Sequence, residues 1–142
     1  MDTYGYVQRG SDLVSFALPS ALGPSSAMHN GITPGGGTVV GLAFPTSTTG
    51  RGYVLSKDIL TYLDFPGSTF TLAWDINPRG TIVGQHDASG RTHGFYLDQS
   101  GFVSVDVPGS RLTVARGINP EGDIVGFYAD ELGKVHGFLL RR

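Results

Sequence analysis

Hydrophobic and polar residues alternate along this chain in short runs, the period of half-buried β-strands. Val103, Val105 and Val107 share one face of such a run, with Phe102, Ser104 and Asp106 on the other. The inward set recurs as Thr61, Leu63 and Phe65, and again as Val14, Phe16 and Leu18. Phe95 and Leu97 correspond in the same way to Tyr53 and Leu55. Between the runs stand Asn77-Pro78-Arg79-Gly80, Asp87-Ala88-Ser89-Gly90, Asp98-Gln99-Ser100-Gly101, Asn119-Pro120-Glu121-Gly122 and Asp130-Glu131-Leu132-Gly133. Asn or Asp opens each turn and can bond its own backbone. Proline, where present, presets φ, and glycine closes the turn in a left-handed conformation. The pattern predicts type I turns with a glycine bulge joining antiparallel strands. No segment carries the period of an ordinary helix, so the expected fold is all-β.

The runs repeat as a set. His93-Gly94-Phe95-Tyr96-Leu97, Phe102 to Ser110, Thr113 to Pro120 and Asp123 to Asp130 match Arg51-Gly52-Tyr53-Val54-Leu55, Leu60 to Ser68, Thr71 to Pro78 and Thr81 to Asp87. A first copy begins at Tyr4-Gly5-Tyr6-Val7 and a fourth at His136-Gly137-Phe138-Leu139-Leu140. Gly52 to Gly94 spans 42 residues, Gly94 to Gly137 43, and Gly5 to Gly52 47. The first copy carries its extra length around Ser20 to Ser26 and Phe44 to Thr49. The expected organisation is one domain over 1–142, with copies at 4–50, 51–92 and 93–135 and a trailing strand at 136–142. Each copy reads as four short strands.

These residues resemble the HAF-type bacterial extracellular repeat. Its pattern stands here as His93-Gly94-Phe95, Asp106-Val107-Pro108-Gly109 and Ile118-Asn119-Pro120-Glu121-Gly122-Asp123-Ile124-Val125-Gly126-Phe127-Tyr128. The second copy keeps Asp64-Phe65-Pro66-Gly67 and Ile76 to Gly84. The first departs from it: Ala17 replaces the aspartate, Ile32-Thr33-Pro34 replaces Ile-Asn-Pro, and Tyr4 stands where histidine is expected, as Arg51 does at the start of the second. The resemblance implies propeller-like blades and a secreted setting. It implies no catalytic residues, so none is carried over.

A four-stranded unit of about 42 residues also has the period of a propeller blade. Three blades do not close a ring. Two chains related by a twofold would supply six and remove exposed sheet edges. Half of a six-bladed dimeric propeller is therefore the expected architecture. A monomeric β-trefoil, also built from three four-stranded units, is the alternative.

Composition narrows the chemistry. The 142 residues are 39% hydrophobic, enough for a real core, and 22 are glycine, in keeping with many tight turns. Net charge is -2 with no basic stripe, which argues against a nucleic-acid partner. There are no cysteines, so disulfides, thiol catalysis and zinc-thiolate sites are excluded. No stretch approaches the roughly 18 apolar residues of a membrane span. Met1 to Val7 reads as a strand and not as a signal peptide.

The repeat supplies its own control, since residues shared by all copies are structural candidates and those that break the pattern are functional ones. His93 and His136 are shared, and Arg51 takes their place in the second copy; they are expected to bond the neighbouring turn, with Arg51 also a ligand-binding candidate. Asp64 and Asp106 are expected to bond amides of the following Pro-Gly turn. Pro34-Gly35-Gly36-Gly37 aligns with the Asn-Pro turns and lacks what a phosphate loop needs. The pattern breakers are His86 against Tyr128 and Ala43, Asp75 against Gly117 and Gly31, Trp74 against Arg116 and Asn30, and His29 against Ala73 and Ala115. Asp75 with His29 or His86 would make an acid–base pair, and Trp74 a stacking platform. The expected function is a non-catalytic module, without cofactor or metal, that binds a small-molecule or glycan-like ligand as a homodimer. A small acid/base enzyme with one asymmetric pocket and a structural surface repeat are the alternatives.

Overall fold

A computed structural model describes residues 4–17, 26–45 and 48–142. They form β1 (Tyr4–Arg9), β2 (Asp12–Ala17), β3 (Ser26–Ile32), β4 (Thr38–Phe44), β5 (Arg51–Ser56), β6 (Ile59–Leu63) and β7 (Phe70–Ile76), then β8 (Ile82–Ala88), β9 (Arg91–Asp98), β10 (Gly101–Val105), β11 (Leu112–Ile118), β12 (Ile124–Ala129) and β13 (Val135–Leu140). No helix occurs among the described residues. The protein is all-β, built from several antiparallel sheets.

β3-β4-β5-β6 is one four-stranded meander. β7-β8-β9-β10 is a second, with the same antiparallel neighbours. β11-β12-β13 is a third unit with three strands, touching the second through one parallel pair, Leu112 with Thr92. β1 and β2 form a hairpin of their own. The copies at 51–92 and 93–135 each open on the third strand of a unit, so each runs from one unit into the next; the second and third units share one seven-stranded sheet. Of the extra length of the first copy, residues 18–25 and 46–47 lie outside the described residues.

The repeated glycine-aromatic pairs set the packing inside each unit. Gly41 lies opposite Tyr53, Gly84 opposite Phe95 and Gly126 opposite Phe138. A Cβ on Gly84 would stand 2.1 Å from the Leu72 carbonyl oxygen and 2.7 Å from the Phe95 ring. Glycine is the residue that lets the ring lie flat across the strand. Phe95 is thereby fully buried, a burial that stabilises by roughly 2–3 kcal/mol.

Successive units pack face to face. Val40 of the first unit clusters with Ala73, Ile76, Ile82 and Phe95 of the second. Val83 of the second clusters with Ala115 and Ile124 of the third, bordered by Ile118, Phe138 and Leu140.

The turn glycines behave as their sequence predicts. Gly80, Gly90, Gly122 and Gly133 have φ of 82°, 75°, 102° and 79°. Gly80, Gly122 and Gly133 donate to the carbonyls of Asn77, Asn119 and Asp130. Asn77 Oδ1 accepts from the amides of Arg79 and Thr81. The turn at Asp87-Ala88-Ser89-Gly90 differs from the expected form. Ala88 pairs with Arg91, and Ser89 has φ 52°, so this is a two-residue loop with both central residues left-handed.

Candidate functional site

Each unit carries a β-bulge at the same place in its first strand. The register slips between His29 and Gly31, between Ala73 and Asp75, and between Ala115 and Gly117. The extra residues are Asn30, Trp74 and Arg116. A bulge re-aims a side chain out of the strand's alternation. Here it sets three unlike side chains in a row across three neighbouring units. The Arg116 guanidinium carbon lies 3.5 Å from the centre of the Trp74 ring, a cation–π contact. Trp74 Nε1 donates to Gln85 Oε1 at 3.0 Å. Asn30 Nδ2 donates to the Ala73 carbonyl at 3.0 Å, reaching from the first unit to the second. Arg116 is exposed, and Asn30 and Trp74 are half-buried.

Asp75 sits beside this row, and its carboxylate is occupied. Oδ1 accepts from its neighbour, the Ile76 amide, at 2.9 Å, and Oδ2 from the Ile118 amide of the third unit at 3.0 Å. Asn77 Nδ2 adds a second tie to the third unit, through the Asn119 carbonyl at 3.2 Å. Asp75 is a clamp between units.

The histidines lie elsewhere. His29 bonds the Tyr53 hydroxyl through Nδ1, with the rings edge to face at 5.9 Å. Burial lowers the pKa of His29 and raises that of Tyr53. His86, 4% exposed, lies between Phe65 and His93, whose ring centroids are 3.6 Å and 5.2 Å away. Neither of its ring nitrogens has a hydrogen-bond partner among the described residues. Burial is the main cause of its lowered pKa, with the charge of His93 adding to it. Trp74 and Asp75 are thus neighbours on β7, the bonds on the Asp75 carboxylate come from backbone amides, and His29 and His86 lie in separate packing environments.

Arg51 has another role. Its Nε donates to Asp64 Oδ1 at 3.0 Å, its Nη2 bonds Asp64 Oδ2, and its guanidinium lies 4.1 Å from the centre of the Tyr62 ring. Hydrogen bonding to Asp64 raises its pKa. His93 Nδ1 meets Asp106 Oδ1 at 2.9 Å in the corresponding place of the second unit. Asp64 and Asp106 therefore bond side chains of β5 and β9, the third strands of their units, and not the amides of the Pro-Gly turn. The turn amides of Phe65 and Val107 donate instead to Thr71 and Thr113 hydroxyls. In the third unit His136 Nε2 bonds Asp130, which lowers the aspartate's pKa.

Asn30, Arg116 and Gln85 are the site residues that sequence reasoning missed. Arg116 was visible as the counterpart of Trp74, yet nothing in the repeat shows that the two side chains meet. No group of three or more His, Asp or Glu among the described residues is placed to hold a metal. No helix there is long and apolar enough to cross a membrane. Two open grooves, one lined by Arg91, Ser110 and Arg111 and one by Arg79, Thr81 and Asp98, contain none of the five candidates.

No family model and no curated protein matches the chain. A search of solved structures finds similarity to the β-propeller protein TolB from Acinetobacter baumannii, with a TM-score of 0.68 and 14% identity. The match covers 96% of this chain and 34% of that one, so this chain spans about a third of the TolB chain. At that identity the likeness shows the fold alone, and the fold is propeller-like.

Proposed function

We propose that the chain is a non-catalytic β-propeller segment that binds a small polar, glycan-like ligand along its bulge row. The observation that carries this reading is the line of Asn30, Trp74 and Arg116, one from each unit. An indole face, a guanidinium and amide groups side by side suit a sugar ring, which stacks its C–H face and bonds its hydroxyls. The row is asymmetric because the three copies differ there, so it forms one site and not three. The test is binding to an array of immobilised oligosaccharides. Wild type binds, and Trp74→Ala and Arg116→Ala bind at least tenfold more weakly with unchanged circular dichroism. Equal binding by the variants, or no sugar bound by wild type, overturns the reading.

The propeller is completed by a second copy, giving six blades about a twofold. Val40, Val83 and Val125 occupy one position in the three units. The first two are 0% exposed beneath the next unit, whereas Val125 is 50% exposed. Leu139, opposite Val125 on β13, is 53% exposed. Ile32 of the first unit, the counterpart of buried Ile76, is 45% exposed. Two apolar faces, one at each end of the stack, are the faces a twofold ring would join. Light scattering at micromolar concentration should give twice the chain mass of 15.0 kDa. A stable monomer overturns the dimer.

A further inference from the structure

Among the described residues β13 ends its sheet with an unpaired edge, and the residues along it are shaped for a fourth strand. Gly52 and Gly94, which occupy the same position in β5 and β9, are crowded by the strand outside them. A Cβ on Gly52 would lie 3.2 Å from the Leu63 carbonyl oxygen, and one on Gly94 2.8 Å from that of Val105. Gly137 on β13 keeps the glycine, but among the described residues a Cβ there would meet only the Gly126 carbonyl oxygen, at 3.8 Å. The clearance made by glycine in the first two units stands open in the third.

The occupant is legible in two departures from the repeat. In the first two units the residue before the glycine, Arg51 or His93, pairs with an aspartate on the way out of the fourth strand, Asp64 or Asp106. β2 is the counterpart of β6 and β10, since Phe16 lies opposite Gly5 as Leu63 lies opposite Gly52 and Val105 opposite Gly94. Its sequence puts Ala17 where the aspartate stands. His136, before Gly137, has a partner from its own unit, Asp130. Asp130 opens its turn as Asp87 does, but strand register, which pairs Tyr128 with His136 as it pairs His86 with His93, puts it at the position of Ala88 and Pro45. The fourth strand that lacks an aspartate and the third strand that brings its own are complementary.

We infer that β2 of a second copy adds to the free edge of β13, in the register it holds on its own β1. The inference rests on the dimer proposed above and names the strands that exchange. β13 is the strand that stays. It pairs with β12 from Ile124–Leu140 to Ala129–Val135, Phe138 and Leu140 pack against the core between units, and Arg142 bonds Asp98 and Asp123. β1 is the strand released. Its ties beyond the hairpin include one side-chain bond, from Arg9 to the Gly35 carbonyl. β1 and β13 present the same Gly-aromatic sequence to β2, so the exchanged pairing reproduces the old one.

The register predicts that Val14 of one copy lies opposite Leu139 of the other. Cα atoms of directly opposed residues are about 4.5–5.5 Å apart, within disulfide reach. The chain has no cysteine of its own. Val14→Cys and Leu139→Cys chains, purified separately, mixed and mildly oxidised, should give a cross-linked dimer whose tryptic peptides join positions 14 and 139. Gly137→Val should fold normally, because its surroundings are open, yet weaken the dimer at least tenfold by closing the clearance. A wild-type dimer with no 14–139 link, or one that Gly137→Val leaves intact, overturns the strand exchange while the dimer stands. A wild-type monomer overturns both.

Discussion

The imidazole of His86 lies face to face with the ring of Phe65, centroids 3.6 Å apart and planes within 3°. The contact is apolar on the Phe65 side, and His93 stacks on His86 at 5.2 Å. Asp106 and Asp87 are the acidic groups near enough to favour the charged ring, and burial outweighs them.

His86 therefore makes stability depend on pH. Its folded pKa is depressed, while the unfolded imidazole titrates near ~6.5. Below that value the unfolded chain binds more protons than the folded one, so acid favours unfolding. Stability is full above about pH 6.5 and falls as pH drops towards the folded pKa, with His29 adding in the same direction. Urea denaturation from pH 8 to 5 should show this loss. His86→Tyr, which installs the third unit's residue Tyr128, should flatten part of it.

Glycine substitutions should separate conformational cost from steric cost. Gly80 has φ 82° and open space around its Cβ position. Gly80→Val should cost roughly 1–3 kcal/mol through backbone strain alone. Gly84→Ala would drive a methyl into the Leu72 carbonyl and the Phe95 ring, and should cost more than Gly80→Val. Thermal melts of the two variants test the order.

Asp75 should prove a stability residue. Asp75→Ala leaves the Ile118 amide without its acceptor, at a cost of about 1–3 kcal/mol. Denaturant midpoints should shift, while sugar binding per folded molecule stays close to wild type. A loss of binding without a loss of stability would place Asp75 in the ligand site instead.

Thr71 and Thr113 should matter more than their size suggests. Both are buried, and each hydroxyl accepts a turn amide and bonds a serine, Ser68 or Ser110. Thr71→Val or Thr113→Val keeps the shape and removes the acceptor, and each should cost about 1–3 kcal/mol by chemical denaturation. Asp64→Asn and Asp106→Asn break partly exposed pairs, and should cost less, up to about 1 kcal/mol.

The repeat, the strands and most turns could be read from the residues in order. The alternation of short strands and the Asn-Pro-x-Gly turns act over a few residues, so local sequence carries them. The inward face differs from the expected one, because a two-residue period does not say which face meets the core: β10 ends at Val105, Val103 is 37% exposed, and Phe102 packs against the core, while in β6 Thr61 is exposed. The candidate row was half legible. Trp74 broke the pattern and could be picked out, but its contact with Arg116 depends on bulges in two separate strands. The role of Asp75 could not be read, because its partner amide is 43 residues away in another repeat unit.

The sequence by itself determined which residues form strands, where the chain turns and that one unit recurs. Tertiary structure alone decided what each repeated residue meets. Val40, Val83 and Val125 are the same amino acid at the same point of the repeat, yet two are sealed and one is half exposed. Asp64 and Asp106 read as turn caps until the fold brought Arg51 and His93 beside them. Strand and turn preferences belong to a few neighbouring residues, whereas burial and pairing belong to whatever sheet lies alongside.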